Sequence, residues 1–393
     1  MSKIKEDKND KNDKNDKNNK ILNISFNQDN SCFSIGKENG FIVYETFPIK
    51  NQYEKKMDGG IKIAEMYYKT NVLALIGGGE NPKYNTKKLI IWDDSQNRIA
   101  SEIKFFSILR NVKLKKDKIY AICDKNIYIF DLKTFENLEI IGTRENSKGL
   151  FSICGDQNKE IIAYIEKADK ENKQNFNKYF VTIKNYDKNS SFQIFALEEP
   201  ISFISLNYDG TLIAISNDKG TQINIHSCAN GNILAQFYRG KDKAEINHIC
   251  FDKFSNFLAV SSDKGTVHIW SLGGVFEKLK VIEKDNLIQN EPNKKEEKDE
   301  DNKINLEQEK DDEENNLKGA LPKNKKVLFK QTEKSFAQIR INPNKCICCF
   351  QKNNIIIVVS YDGSYYQAQL DTKNGGNCKI IFQESLYNLK KGI

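Results

Sequence analysis

Hydrophobic and polar positions alternate with a period of two in short runs along most of the chain, and Gly, Asn and Asp residues separate these runs. This pattern is typical of β-strands joined by tight turns. It predicts strands within residues 31–44, 61–76, 89–92, 119–130, 161–165, 179–185, 335–341, 346–350 and 355–360. Because almost no segment has a sustained helical periodicity, the sequence favours an all-β repeat architecture.

One strand-rich segment occurs twice. Residues 207–221 recur as residues 252–266, 45 positions later. The two copies agree at the pairs Ala214/Ala259, Ser216/Ser261, Asp218/Asp263, Lys219/Lys264, Gly220/Gly265 and Thr221/Thr266. A repeat of about 40 to 45 residues is typical of one blade of a β-propeller. About seven such blades would use most of the 393 residues.

Two polar segments interrupt the strand pattern. Residues 1–20, rich in Lys, Asn and Asp, have too few apolar side chains to form a core and are expected to be a disordered tail. A lysine-rich and acidic stretch at 283–326 has strand-like sequence on both sides. We therefore expect one domain, 21–393, with residues 275–328 as a largely disordered loop inserted in blade six.

Charge and composition narrow the functional class. The net charge is +7, and without the tail and the acidic insertion it is +9, which suits an anionic partner such as phospholipid or nucleic acid. Nucleic acid is disfavoured, because no stacking pattern of aromatic and basic residues accompanies the charge. The longest apolar run, 355–359, is far shorter than the roughly 18 residues that a membrane helix needs. The polar amino terminus does not resemble a secretory signal, so we expect a cytosolic protein.

Neither a metal site nor a catalytic site is predicted. The nine cysteines are scattered in apolar runs and are expected to be reduced and buried. In the run Cys346-Ile347-Cys348-Cys349, strand alternation places only Cys346 and Cys348 on one face, with no second ligand pair close in sequence. The chain has three histidines and no nucleophile motif, which predicts a protein that is not an enzyme and has no cofactor.

The segment Phe237-Tyr238-Arg239-Gly240 lies between the two repeat copies. A guanidinium group binds phosphate as a fork, and nearby hydroxyl and lysine side chains add donors and charge. Thr221 and Thr266 could equally be ordinary strand residues, and Arg239 a solvated charge. The arginine therefore marks a candidate phosphate site whose residues also have a structural interpretation.

The same segment resembles the Phe/Leu-Arg-Arg-Gly motif of the PROPPIN family. The resemblance extends over residues 21 to about 370, and further matching segments are 75–84, 91–94, 261–269 and 362–366. It implies a seven-bladed β-propeller that binds phosphoinositides at two sites flanking the motif. It also implies a role in autophagy.

The resemblance implies unequal sites. The main site would contain Arg239, Gly240, Ser262, Lys264, Thr266 and His268. The first site is degenerate: Tyr238, Asn217 and Asn224 stand where relatives have arginine, serine and arginine, and Leu197 replaces a histidine. Of its expected ligands, Lys219 and Thr221 remain. We expect weak binding at this first site.

The resemblance also implies two further contact segments. Val275, Phe276, Leu279 and Ile282 share one helical face and are predicted to insert into a membrane, although a strand or linker is an alternative. The acidic residues 296–314 would be repelled by anionic lipid. The loop of Asn81, Pro82, Lys83 and Tyr84 is predicted to bind an autophagy lipid-transfer protein or a similar partner through blades two and three.

The sequence therefore predicts a monomeric effector of phosphatidylinositol 3-phosphate, with the 3,5-bisphosphate as a second candidate ligand. It would associate peripherally with vesicle, vacuolar or autophagosomal membranes and recruit autophagy or trafficking machinery. The alternative is a propeller scaffold for protein partners that does not bind lipid.

Overall fold

A computed structural model of the chain describes residues 20–166, 178–275 and 334–389. Across these residues the chain forms seven sheets in sequence order, each with four antiparallel strands running from the centre of the molecule outwards, and the sixth sheet has a short fifth strand. The architecture is a seven-bladed β-propeller, as the sequence predicts. The amino-terminal tail lies outside the described residues except for Lys20.

The blades are built from consecutive strands. Blade one contains β1 (Ile21–Phe26), β2 (Cys32–Lys37), β3 (Gly40–Glu45) and β4 (Lys50–Lys56). Blade two contains β5 (Ile61–Met66), β6 (Val72–Gly77), β7 (Lys88–Asp93) and β8 (Arg98–Lys104). Blade three contains β9 (Leu109–Lys115), β10 (Lys118–Cys123), β11 (Asn126–Asp131) and β12 (Asn137–Gly142). Blade four contains β13 (Phe151–Ile153), β14 (Ile161–Ile165), β15 (Tyr179–Asn185) and β16 (Ser190–Leu197).

The remaining blades follow the same plan. Blade five contains β17 (Ile201–Leu206), β18 (Leu212–Asn217), β19 (Gln222–Ser227) and β20 (Ile233–Tyr238). Blade six contains β21 (Ile246–Phe251), β22 (Phe257–Ser262), β23 (Thr266–Ser271) and β24 (Ala337–Arg340). Blade seven contains β25 (Cys346–Phe350), β26 (Ile355–Ser360), β27 (Ser364–Gln369) and β29 (Lys379–Ser385). The short strand β28 (Gly376–Asn377) pairs in parallel with β24 at the edge of blade six.

The hydrophobic core lies between neighbouring blades. The middle strands are covered on both faces, so β26, with the sequence IIIVVS, is buried along its whole length. Such continuous β-branched runs suit strands that are packed on both sides. The outer strands β8 and β29 have mostly exposed residues, because no further strand covers them.

Blade seven packs directly against blade one and closes the ring. The hydroxyl of Tyr365 donates a hydrogen bond to the carbonyl oxygen of Thr46 at 2.6 Å. The hydroxyl of Tyr44 donates to the carbonyl oxygen of Leu386 at 3.2 Å. The ring of Phe33 in blade one stacks on Tyr365 of blade seven with 6.4 Å between centroids. Side-chain packing therefore closes the ring, since the four main strands of each blade are contiguous in the chain.

The innermost strands surround a central cavity of about 1090 Å³. Eight lysine and arginine side chains line it: Lys62, Arg110, Lys113, Lys115, Lys148, Lys253, Lys345 and Lys352. Lys113 forms an ion pair with the buried Glu65 at 3.0 Å. The nine cysteines are all free thiols, seven of them buried and two half-buried, as the sequence predicts.

The predicted insertion lies between two strands that pair with each other. Strand β23 precedes it and β24 follows it, and Thr266 is opposite Arg340 in this antiparallel pair. Residues 276–333 of this connection lie outside the described residues. Within the described part of the chain, no helix has the length and apolar character required to cross a bilayer.

Candidate functional site

Arg239 lies in the connection between blade five and blade six, directly after Tyr238 ends strand β20. Its backbone N–H donates to the carbonyl oxygen of Thr221 at 2.9 Å. Its side-chain Nε donates to the carbonyl oxygen of Gly220 at 2.7 Å, and Nη2 donates to that of Asp242. These contacts orient the guanidinium group and use two of its five N–H donors.

The charge of Arg239 interacts with titratable groups of blade six. Burial lowers its pKa, and the negative charges of Asp263 and Asp242 oppose this shift. The pKa of His268 falls to about 4, first because the ring is buried and second because the positive charge of Arg239 is near. The structure therefore brings Arg239 of the blade connection together with Asp263 and His268 of blade six.

Gly240 follows Arg239 and is exposed. A Cβ atom added at Gly240 would meet no protein atom within 4 Å. No protein packing therefore requires glycine here, and the space beside Arg239 is open to a ligand. Gly265 differs, because its φ of +72° and the 2.6 Å separation of an added Cβ from the Ile341 oxygen make glycine a requirement of the turn.

The other blade-six residues lie around the turn between β22 and β23. Lys264 is exposed, and its Nζ is 3.3 Å from a carboxylate oxygen of Asp263. The hydroxyl of Thr266 has no hydrogen-bond partner among the described residues, and the side chain is partly exposed. Both side chains are therefore accessible for binding an anion.

Two predicted ligands have structural contacts of their own. Ser262 is only 1% exposed, and its hydroxyl accepts a hydrogen bond from the N–H of Lys264 at 3.4 Å. Ser262 thus supports the turn that presents Lys264. His268 stacks on Trp270 with 5.7 Å between ring centroids, and its Nδ1 hydrogen-bonds with the hydroxyl of Ser335 at 3.2 Å.

The equivalent turn in blade five is closed by internal contacts. Asn217 accepts hydrogen bonds from the N–H groups of Thr221 and Gln222 at 3.2 and 3.3 Å. Its side-chain amide donates to Glu199 at 3.1 Å, and Lys219 forms an ion pair with the same carboxylate. The hydrogen bond from Lys219 lowers the pKa of Glu199, so this carboxylate is ionised at neutral pH. Sequence analysis did not identify Glu199 as part of the site.

The strand register identifies Asn224 and His268 as equivalent residues. Ile215 and Val260 are 45 positions apart in the repeat, and they pair with Asn224 and His268, which are 44 positions apart. The blade-five turn is therefore one residue longer. Asn224 is buried and accepts a hydrogen bond from the side chain of Gln222 at 2.7 Å. Leu197, at the position where the resemblance implies a histidine, packs partly buried against the core shared by blades four and five.

The prediction that Val275 inserts into a membrane is wrong for this structure. Val275 is 3% exposed and belongs to the hydrophobic cluster that contains Trp270 and Leu272. Its N–H donates to the carbonyl oxygen of Leu272 at 2.9 Å, which turns the side chain back into blade six. Three further residues predicted to insert, Phe276, Leu279 and Ile282, lie outside the described residues.

The predicted partner loop is a well-connected segment of blade two. The N–H of Gly60 donates to the oxygen of Asn81 at 2.7 Å, and the N–H of Lys83 donates to the oxygen of Gly60 at 3.0 Å. Lys83 also forms an ion pair with Asp58. Asn81 and Pro82 remain exposed, and Tyr84 is half-buried. These backbone bonds hold a defined surface that includes two exposed side chains.

Comparison with known proteins agrees with the architecture. A profile of the PROPPIN family matches residues 21–281. The chain is 28% identical over 379 residues to Autophagy-related protein 18e of Arabidopsis thaliana, and the match covers 95% of this chain and 89% of that protein. It is 31% identical over 283 residues to SVP1-like protein 2 of Candida glabrata, which covers 65% of this chain. That match spans 63% of the relative, so less than two thirds of its length.

A solved structure gives the same fold. The complex of KlAtg21 with the coiled-coil of AgAtg16 contains a chain with a TM-score of 0.68 and 19% identity, covering 93% of this chain and 99% of that chain. At this identity the likeness concerns the propeller fold. The profile match extends over all the residues of blades one to five and through β23 of blade six, including the connection that contains Arg239. The chain belongs to the PROPPIN family.

Proposed function

We propose that this protein binds the phosphorylated headgroup of phosphatidylinositol 3-phosphate, or of the 3,5-bisphosphate, on cytosolic membrane surfaces. The observation that carries the proposal is the orientation of Arg239. Two backbone carbonyl groups hold its guanidinium, and the remaining three N–H donors have no partner among the described residues. A preoriented fork of this kind matches the oxygen atoms of a phosphate group.

Blade six supplies the rest of the site. Lys264 adds a mobile positive charge, and the hydroxyl of Thr266 adds a donor close to the same turn. Ser262 shapes the turn, and the open space at Gly240 admits the headgroup. His268 is neutral at pH 7 because its pKa is about 4, so it contributes a hydrogen-bonding group and no charge.

Blade five contributes little to lipid binding in this proposal. The carboxylate of Glu199 already binds Lys219 and Asn217, and it would repel an approaching phosphate. Tyr238 supplies no positive charge where relatives have arginine. Thr221 is the one remaining hydroxyl of this site, and it lies 3.4 Å from the amide of Asn217.

A second membrane contact would supplement the headgroup, because a single weak anchor gives only marginal and reversible binding. We assign this role to Phe276, Leu279 and Ile282, which follow strand β23 of blade six in the sequence and lie close to its lipid site along the chain. Burial of one such side chain contributes about 1.5–3 kcal/mol. The basic charge of the propeller would add electrostatic attraction that salt weakens.

Membrane-bound protein would then recruit autophagy machinery. One structural relative, KlAtg21, is solved in complex with the coiled-coil of AgAtg16. In this chain the exposed Asn81 and Pro82, supported by Lys83 and Tyr84, form a defined surface on blade two for a lipid-transfer protein or a similar partner. The protein acts as a monomeric binding module in this proposal, and it needs no cofactor, nucleic acid or catalytic residue.

Flotation with liposomes tests the lipid-binding proposal. Vesicles that contain phosphatidylinositol 3-phosphate should bind the protein, and unphosphorylated phosphatidylinositol should not. Arg239→Ala should weaken binding at least tenfold, since a charged hydrogen bond contributes about 1.5–3 kcal/mol. Arg98→Ala is the matched control, because Arg98 is exposed on blade two. Failure of the wild-type protein to float with these vesicles would support the scaffold function without lipid binding. Equal flotation of wild type and Arg239→Ala would place the lipid site elsewhere on the protein.

A further inference from the structure

Three potential metal ligands meet at the junction of blade six and blade seven. His248 and Cys250 are alternate residues of strand β21, and Cys348 belongs to strand β25. Alternate residues of a strand project to the same side, and the two strands are the innermost strands of adjacent blades. One ligand atom from each residue lies within 4.8 Å of the other two.

The separation of the two thiol groups suits a tetrahedral metal ion. Sγ of Cys250 is 3.8 Å from Sγ of Cys348. Two sulfur atoms that each bind Zn²⁺ at about 2.3 Å in a tetrahedral arrangement are about 3.8 Å apart. A disulfide bond would require the sulfur atoms to approach to about 2.05 Å. The observed spacing therefore accommodates a metal ion without movement of either thiol.

His248 has a buried ring nitrogen without a partner. Its Nδ1 makes no hydrogen bond among the described residues. The ring lies against Phe203 and Phe26, with centroids 5.6 and 6.4 Å away, so aromatic neighbours surround it. A buried polar atom without a partner costs free energy, and coordination is one way in which an imidazole satisfies it.

The cluster has a route to solvent. His248 and Cys250 both line the central cavity of about 1090 Å³, whereas Cys348 is buried behind them. A metal ion could enter through this cavity and keep one coordination position open towards it. Three protein ligands with an open fourth position form a known zinc arrangement.

We propose that His248, Cys250 and Cys348 bind a thiophilic divalent metal ion, Zn²⁺, between blade six and blade seven. Binding displaces the thiol protons, and the two sulfur atoms and one imidazole nitrogen then cross-link the two innermost strands. The cross-link is adjacent to a contact between the same blades, in which the hydroxyl of Ser261 donates to the carbonyl oxygen of Cys346 at 2.7 Å. The sequence does not indicate this site, because the two ligands on β21 are about a hundred residues from Cys348 on β25. The proposal does not depend on lipid binding.

Cobalt titration tests this site. The reduced, metal-free full-length protein is titrated with Co²⁺ without oxygen, and sulfur-to-cobalt charge transfer is followed in the near ultraviolet. We expect a band that saturates at one equivalent and disappears when Zn²⁺ is added. Zn²⁺ should also raise the melting temperature of the wild-type protein, because it binds the folded state selectively.

Substitutions of single residues test which side chains bind the metal ion. Cys250→Ser and His248→Gln, at half-buried positions, should each weaken Co²⁺ binding at least tenfold and abolish the thermal shift. Cys378→Ser is the control, because Cys378 is a half-buried thiol outside the cluster, and it should bind Co²⁺ as wild type does. The melting temperature of each metal-free variant shows that it folds.

Three results would overturn the proposal. The first is a wild-type protein without the charge-transfer band. The second is a band of equal intensity in Cys250→Ser. The third is a mass decrease of two hydrogens when metal-free protein is exposed to air, accompanied by unaltered stability in Zn²⁺, which would identify a redox disulfide in place of a metal site.

Discussion

The carboxylate of Glu199 forms an ion pair with the ammonium group of Lys219 at the rim of blade five. In blade six the equivalent lysine, Lys264, forms its ion pair with the adjacent Asp263. Asp218 donates its N–H to the oxygen of Pro200, and Asp263 donates its N–H to the oxygen of Glu245, so the position equivalent to Glu199 is occupied by Ala244. The two repeat copies thus differ in the partner of the lysine, which is Glu199 in blade five and Asp263 in blade six.

Removal of the Glu199 charge should restore anion binding at blade five. We expect Glu199→Gln combined with Tyr238→Arg to increase binding to vesicles with phosphatidylinositol 3-phosphate about tenfold in an Arg239→Ala background. The reason is that Lys219 is released while a phosphate-binding fork is added. Liposome cosedimentation measures the change.

The exposed neighbour Glu198 provides the control for this experiment. Glu198→Gln with Tyr238→Arg has the same net charge but leaves the ion pair of Glu199 and Lys219 intact. An equal increase in vesicle binding for the two double variants would show that net charge alone attracts the protein to the membrane. Glu199 would then not be the cause of weak binding at blade five.

The two repeat threonines should differ in function although they occupy matching sequence positions. Thr266→Ala should lower vesicle affinity about three- to tenfold, because it removes a hydroxyl without an internal partner beside Lys264. Thr221→Ala should leave vesicle affinity within twofold of the wild-type value. Both changes delete the same atoms, so each is the control for the other. A loss caused by Thr221→Ala alone would assign the headgroup to blade five.

The sequence predicted the middle strands of the blades better than the innermost and outermost ones. Strand β25, Cys346–Phe350, and strand β26, Ile355–Ser360, have the predicted bounds because buried strands require continuous apolar residues. Strands β8 and β29 were not predicted. They are outer strands with mostly exposed residues, so polar side chains interrupt the apolar pattern on which the prediction depends.

The sequence indicates which residue types belong to the candidate site, but it says less about the contacts between them. The duplicated pattern locates Lys264 and Thr266, and one arginine motif locates Arg239. Glu199 was not recognised because it lies 20 residues before Lys219 and is brought to it only by the pairing of β17 with β18. Contacts of this kind depend on sheet register, which local sequence does not specify.

The titration of His268 should report headgroup binding. Its pKa is about 4 in the free protein because the ring is buried and Arg239 is near. A bound phosphate places negative charge beside the ring and favours its protonated form, so the pKa should rise by about one unit or more. Binding should then take up protons and strengthen as the pH falls from the new pKa towards 4.

Proton NMR of the histidine ring, with a soluble inositol phosphate headgroup, measures this shift. His226 is buried, and its pKa is lowered mainly by that burial, so it serves as an internal control that should not respond. In Arg239→Ala the pKa of His268 should be higher without headgroup, since a positive charge is removed, and should not change when headgroup is added. If the pKa of His268 in the wild-type protein does not change at saturating headgroup concentration, the ligand binds elsewhere.

Substitutions at Val275 and Leu279 should affect different properties, namely stability and membrane binding. Val275 is 3% exposed within the core of blade six, so Val275→Ser should lower the free energy of unfolding by about 2–3 kcal/mol. Leu279→Ser should leave the melting temperature unchanged and weaken vesicle binding about tenfold, because one apolar side chain no longer enters the bilayer. Thermal denaturation and liposome flotation on the same samples measure both effects. Leu279→Ser with a lowered melting temperature and normal flotation would place Leu279 in the protein core, and the apolar contribution to membrane binding would then require another segment.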